Sequence, residues 1–147
     1  MQATLPQTIS TQADFIDKQT TNTWQQVWSS RLGHSEAVNE LLAVWEECRL
    51  PNWDGYGADA VSRETVAMTC KLLKSLPIGF PSPSLGAAPD GQVTLEWYKS
   101  AFRTLSVSVD KEGFLHYAGL FGQSKRYGTL ACFDKIPDEI KTLVQEL

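Results

Sequence analysis

At 147 residues, with 42% hydrophobic residues and five tryptophans, the chain is long enough to bury one core and short for two domains. Thirteen basic against 17 acidic residues leave a formal net charge of -4, which argues against nucleic acid as a partner, because phosphate binding draws on clustered Lys and Arg. No apolar run approaches the roughly 18 residues that a membrane-spanning helix needs.

Residues 1–10 lack both a basic leader and an apolar h-region. Cys48, Cys70 and Cys132 are odd in number and far apart, which fits reduced core thiols better than a disulfide framework. The expectation is a cytoplasmic protein.

Residues 1–34 are rich in Gln, Thr and Ser and read as a weakly ordered arm. Within it Trp24, Val27 and Trp28 share one helical face, so a short helix over 23–32 is expected to dock on the domain or on a partner. Residues 35–147 form the single domain. Ser35 can cap a helix over 35–50, in which Val38, Leu41, Leu42 and Trp45 recur at helical spacing and which Pro51 terminates. Ser62 can cap a second helix over 63–76, with Val66, Cys70 and Leu73 as its apolar stripe. Pro81, Pro83 and Pro89 make 78–91 a crossing segment that is neither a helix nor a central strand.

Alternation begins after Asp90-Gly91. Val93, Leu95 and Trp97 point one way and Thr94, Glu96 and Tyr98 the other, and Leu105, Val107 and Val109 repeat the pattern against Thr104, Ser106 and Ser108. A turn at 110–113, a strand over 114–121, a turn at 122–125 and a strand over 126–133 complete four strands. Pro137 followed by Asp138 and Glu139 starts a last helix, with Ile140, Leu143, Val144 and Leu147 on its buried face. The expected fold is therefore α+β in two layers: N-terminal helices, a four-stranded antiparallel meander and a C-terminal helix. Helices cover one sheet face, and Thr94, Glu96, Ser106 and Ser108 lie on the other.

No stretch carries a complete catalytic or cofactor signature. The loop from Asn52 to Asp59 lies between helices as an EF-hand does, but Tyr56 and Arg63 occupy the fifth and twelfth positions, where calcium requires oxygen donors. Asp90, Glu96 and Lys99 have the residue types of a restriction-nuclease motif, yet a strand points Glu96 and Lys99 to opposite faces. Gly55-Tyr56-Gly57 has no preceding strand and no following Lys-Ser or Lys-Thr, so it is not a phosphate loop. Nothing in the sequence places His34 or His116 beside a cysteine. The sheet aromatics Trp97, Tyr98, Phe102, Phe114, Tyr117 and Tyr127 could stack bases, but the acidic balance favours core packing. No catalytic residue, metal ligand or cofactor is assigned.

The loop itself, Trp53-Asp54-Gly55-Tyr56-Gly57-Ala58, with Asp90-Gly91, Leu95-Glu96-Trp97 and Ile136-Pro137, resembles a widespread group of small uncharacterised bacterial proteins marked by a W-D-G-Y-G-A stretch. The resemblance covers residues 38–147 and implies no particular activity. In physical terms Trp53 and Tyr56 can plug the junction between helices and sheet, while Asp54 accepts backbone donors and the glycines take positive φ. Alternatively Asp54, Tyr56 and Asp59 form an exposed acidic, aromatic surface for a basic partner.

Two functions follow. One is a non-enzymatic protein-interaction module, such as an antitoxin, immunity or phage-encoded inhibitor protein, with Trp24 and Trp28 on a docking arm. The other is a small enzyme or ligand-binding protein with its site at Asp54, Tyr56, Asp59 and Glu96. An exposed meander edge beside a Trp-bearing arm also admits a homodimer.

Overall fold

The computed structural model describes residues 35–132 and 135–147. The expected helix over 23–32, with Trp24 and Trp28, and His34 lie outside the described residues. Three helices, α1 (Ser35–Cys48), α2 (Arg63–Lys74) and α3 (Asp138–Gln145), accompany five strands, β1 (Ser84–Ala87), β2 (Val93–Ser100), β3 (Arg103–Val109), β4 (Phe114–Phe121) and β5 (Ser124–Ala131). The strands form one antiparallel sheet in the order β1-β2-β3-β4-β5, so the α+β class is as expected.

Four strands were expected and five are found among the described residues. The addition, β1, lies inside the proline-rich crossing segment. Its four residues contain no proline and pair with β2 from Ser84 opposite Glu96 to Ala87 opposite Val93. It occupies the sheet edge, the position where neighbouring prolines are tolerated. The last strand also begins earlier than the expected residue 126, because Phe121 pairs with Ser124 and leaves only Gly122 and Gln123 in the turn.

Register places the apolar residues in rows. Val93, Val109 and Leu115 stand side by side across β2, β3 and β4, as do Leu95, Val107 and Tyr117. Val93, Leu95, Leu105, Val107, Val109 and Leu115 are fully buried. They meet Leu41 of α1, Leu72 and Leu73 of α2, and Ile140, Leu143 and Val144 of α3 in one core. The opposite face carries Thr94, Glu96, Tyr98, Ser106, Ser108 and Tyr127, none of them buried.

Caps and tethers set the helices on this sheet. Ser62 Oγ accepts the Thr65 amide at 3.1 Å and starts α2, a bond that contributes about 1 kcal/mol. The Ile136 amide donates to Ser75 Oγ at 2.8 Å and joins the end of α2 to the approach of α3. Trp45 Nε1 donates to the Val61 carbonyl at 3.0 Å, so α1 is pinned to the segment leading into α2.

α1 also caps part of one edge of the sheet. The Ala88 amide donates to the Gln92 carbonyl, so by strand alternation Leu85 directs its N–H away from β2. That amide donates to Glu40 Oε2 at 3.0 Å. No described helix is long and apolar enough to cross a membrane.

Candidate functional site

The loop between α1 and α2 is closed by its own hydrogen bonds. The Val61 amide donates to the Cys48 carbonyl at 2.9 Å and the Asn52 amide to the Ala58 carbonyl at 2.8 Å, which draws the two ends together. Inside, Asp54 Oδ1 accepts the amides of Tyr56 at 2.8 Å and Ala58 at 3.0 Å, while Asn52 Oδ1 accepts that of Gly57 at 2.6 Å. Gly55 and Gly57 have φ of 80° and 86°, values that a side chain would strain. Asn52, with φ of 61°, is a residue type that tolerates this region.

The two loop aromatics do different things. Trp53 is half-buried against the core, and its indole N–H donates to the Asp59 carbonyl at 2.8 Å. Tyr56, expected to help plug the junction, instead stands 93% exposed. The reason is local: the turn that Asp54 organises directs the Tyr56 amide inward and leaves its ring over solvent. Asp54 is thus committed to the fold, and Tyr56 is free for contact.

Asp59 links the loop to the sheet. Its amide donates to the Pro89 carbonyl at 2.7 Å, beside the β1–β2 turn. There it lines an open cleft of about 340 Å³ whose other walls are the β1–β2 and β3–β4 turns, with Ser62 and Thr65 also contributing. Among the described residues, Asp59, Asp90, Asp110 and Glu112 line this cleft against one cation, Lys111.

Asp110 is the most constrained of these carboxylates. Oδ1 accepts the amides of Glu112 and Phe114, both at 2.9 Å, and Oδ2 meets His116 Nε2 at 2.8 Å. Burial alone would raise the pKa of Asp110, but the Phe114 amide, His116 and the Glu112 amide together outweigh it and hold the carboxyl below its usual range. His116 Nδ1 lies 3.1 Å from Thr129 Oγ1 on β5. The chain Asp110, His116, Thr129 has the residue types of a hydroxyl nucleophile with its base and orienting acid.

Its setting is the exposed face of the sheet. Thr129 sits exposed on a strand, and the amides of β4 that might stabilise an oxyanion are spent in the sheet ladder. The network therefore fastens the β3–β4 hairpin to β5. The sequence concealed it because it depends on register: His116 lies opposite Thr129 only once β4 and β5 are paired. Among the described residues no group of His, Cys, Asp or Glu could hold a metal ion. Cys48 and Cys132 are buried, and burial followed by the Glu47 charge pushes the Cys48 thiol up, away from the nucleophilic thiolate.

Glu96 does not join the loop. It projects from the uncovered face of β2, opposite Ser106, where Thr104 Oγ1 donates to its Oε2 at 3.4 Å. Three residues, about 10 Å of strand, separate it from the end of β2 nearest the cleft. Of the expected site residues, Trp53, Asp54, Tyr56 and Asp59 share one closed loop; of the other cleft carboxylates, Asp90 was weighed in the sequence only as part of a nuclease-like motif and a turn, and Asp110 and Glu112 are additions that the sequence did not single out. Comparison of the chain with protein-family models, with curated proteins and with solved structures finds no match.

Proposed function

We propose that the chain is a non-enzymatic protein-interaction module that receives a basic partner at the acidic end built from the α1–α2 loop and the two hairpin turns. The observation that carries this reading is the pairing of an almost fully exposed Tyr56 with a cleft lined by four carboxylates and one ammonium. Aromatic side chains held out from a rigid loop are effective interface anchors, and surplus negative charge steers a basic partner. Antitoxins, immunity proteins and phage-encoded inhibitors are the classes that this reading favours, and a cytoplasmic setting suits three cysteines that form no disulfide.

The test is affinity capture from the native host with the full chain as bait, at low and at high salt. A stoichiometric basic protein, released by salt and lost with Asp59→Lys or Tyr56→Ala, is expected. Failure to recover any stoichiometric partner overturns the proposal.

A second reading, a ligand-binding protein at the same loop, draws support from the cleft volume of about 340 Å³, within the range of small-molecule sites. It takes its polar groups from Asp59, Asp90 and Glu112, with Glu96 no longer included.

A further inference from the structure

The two edges of the sheet are finished differently. At β1 the helix α1 lies alongside and Glu40 holds the outward amide of Leu85. At β5 the direction of each backbone group follows from bonds at the strand ends. The Asp110 amide donates to the Phe114 carbonyl, and the Gly122 amide to the Phe102 carbonyl, so the even residues of β4 face β3 and the odd residues face β5. The Cys132 amide donates to the Gly113 carbonyl, in agreement. On β5, Ser124, Arg126, Gly128 and Leu130 therefore face β4, while Lys125, Tyr127, Thr129 and Ala131 direct their N–H and C=O groups outward. All four of these are exposed, and no described backbone or side chain meets their amides.

We infer that this open edge pairs with β5 of a second copy of the chain, antiparallel across a two-fold axis through Gly128. An isologous pair must match outward residues with outward residues. Placing the axis at Gly128 does so along the whole strand: Lys125 opposes Ala131 of the second copy, Tyr127 opposes Thr129, and Arg126 opposes Leu130. The outward residues then exchange hydrogen bonds, and both sheets become one. Side chains fit this register. Glycine at the axis removes the clash between identical residues, and Tyr127 beside Thr129 is a favourable aromatic and β-branched cross-strand pair.

Charge fits as well. The two copies of Arg126 stand four residues apart along the strand, about 13 Å, beyond the screening length of ~10 Å at moderate salt. Arg126 is in addition paired with Glu146 and lies 5.0 Å from the centre of the Phe121 ring. The copies of Lys125 are farther apart still. The carboxylate-lined cleft and Tyr56 play no part in the interface, so both copies keep the acidic end available.

The decisive variant is Tyr127→Pro, with Tyr127→Thr as its control. Proline removes an outward N–H and no bond to β4, and an edge strand accommodates it. Light scattering on the purified full chain at tens of micromolar should give twice 16.3 kDa for the wild type and Tyr127→Thr, and 16.3 kDa for Tyr127→Pro with unchanged circular dichroism. A monomeric wild type overturns the inference, and so does a Tyr127→Pro chain that remains dimeric. Should the proline variant fail to fold, hydrogen exchange of the wild type decides. The amides of Lys125, Tyr127, Thr129 and Ala131 should be protected when concentrated and exchange freely on dilution; amides that exchange freely at both concentrations overturn it.

Discussion

Glu40 Oε2 stands 3.0 Å from the amide nitrogen of Leu85 and fills a hydrogen-bonding position that another strand would otherwise take. A helix side chain thereby satisfies a sheet edge, one of the ways proteins keep strand edges from pairing at random. Because the bond is solvent-exposed, Glu40→Ala should reduce stability by only about 0.5–1 kcal/mol. Hydrogen exchange is the sharper measurement: the Leu85 amide should lose protection in Glu40→Ala while the amides of β3 keep theirs.

Asp110 makes the acid sensitivity of the hairpin predictable. Its folded pKa lies below the unfolded one, despite burial, because of the Phe114 amide, His116 and the Glu112 amide. The stability it confers is therefore complete above the unfolded carboxylate range, near pH ~4, and disappears as pH falls through the lower folded value. Asp110→Ala should cost about 2 kcal/mol at pH 7. Urea midpoints measured from pH 7 to pH 2 should fall less steeply for this variant than for the wild type.

Within the α1–α2 loop, stability and recognition should separate cleanly. Asp54→Ala leaves the Tyr56 and Ala58 amides without their acceptor and should destabilise by about 1–2 kcal/mol. Tyr56→Ala, which removes a ring 93% exposed, should change the thermal midpoint negligibly. Loss of partner capture by Tyr56→Ala with an unchanged midpoint would assign that ring to binding; a lowered midpoint would place it in the fold after all.

Two glycines of the sheet should respond unequally to alanine. A Cβ on Gly119 would lie 2.7 Å from Phe121 Cε2 and 3.1 Å from Leu105 Cδ1, within the packed face. Gly119→Ala should cost about 1–3 kcal/mol by overpacking. At Gly128 the obstacle is the outer edge of the Tyr117 ring, its hydroxyl at 2.7 Å, Cζ at 2.9 Å and Cε1 at 3.0 Å, on a half-buried side chain that can swing aside at the loss of its 3.0 Å bond to Glu139. Gly128→Ala should therefore be the milder change, and chemical denaturation of both variants checks the order.

The sheet was legible wherever burial imposes a period of two. Val93, Leu95 and Trp97, and Leu105, Val107 and Val109, alternate because one face is packed and the other is not. β1 was not legible, since Ser84 to Ala87 is too short for a period and acquires its conformation from β2 rather than from its own residues. The loop was half legible. Its glycines and Asp54 announce a turn, but which aromatic goes inward depends on where the core lies, and only the fold directs Trp53 in and Tyr56 out. The union of Asp110 with His116 and Thr129 required strand register, which no local pattern encodes.

The cap that α1 places on β1 limits more than that edge. A sheet open at both ends can add copies without end and grow into a fibre, whereas one open at a single end is used up after one addition. If the proposed pairing through β5 forms, it would therefore terminate itself, and loss of the Glu40 contact would remove one of the barriers to further addition at β1.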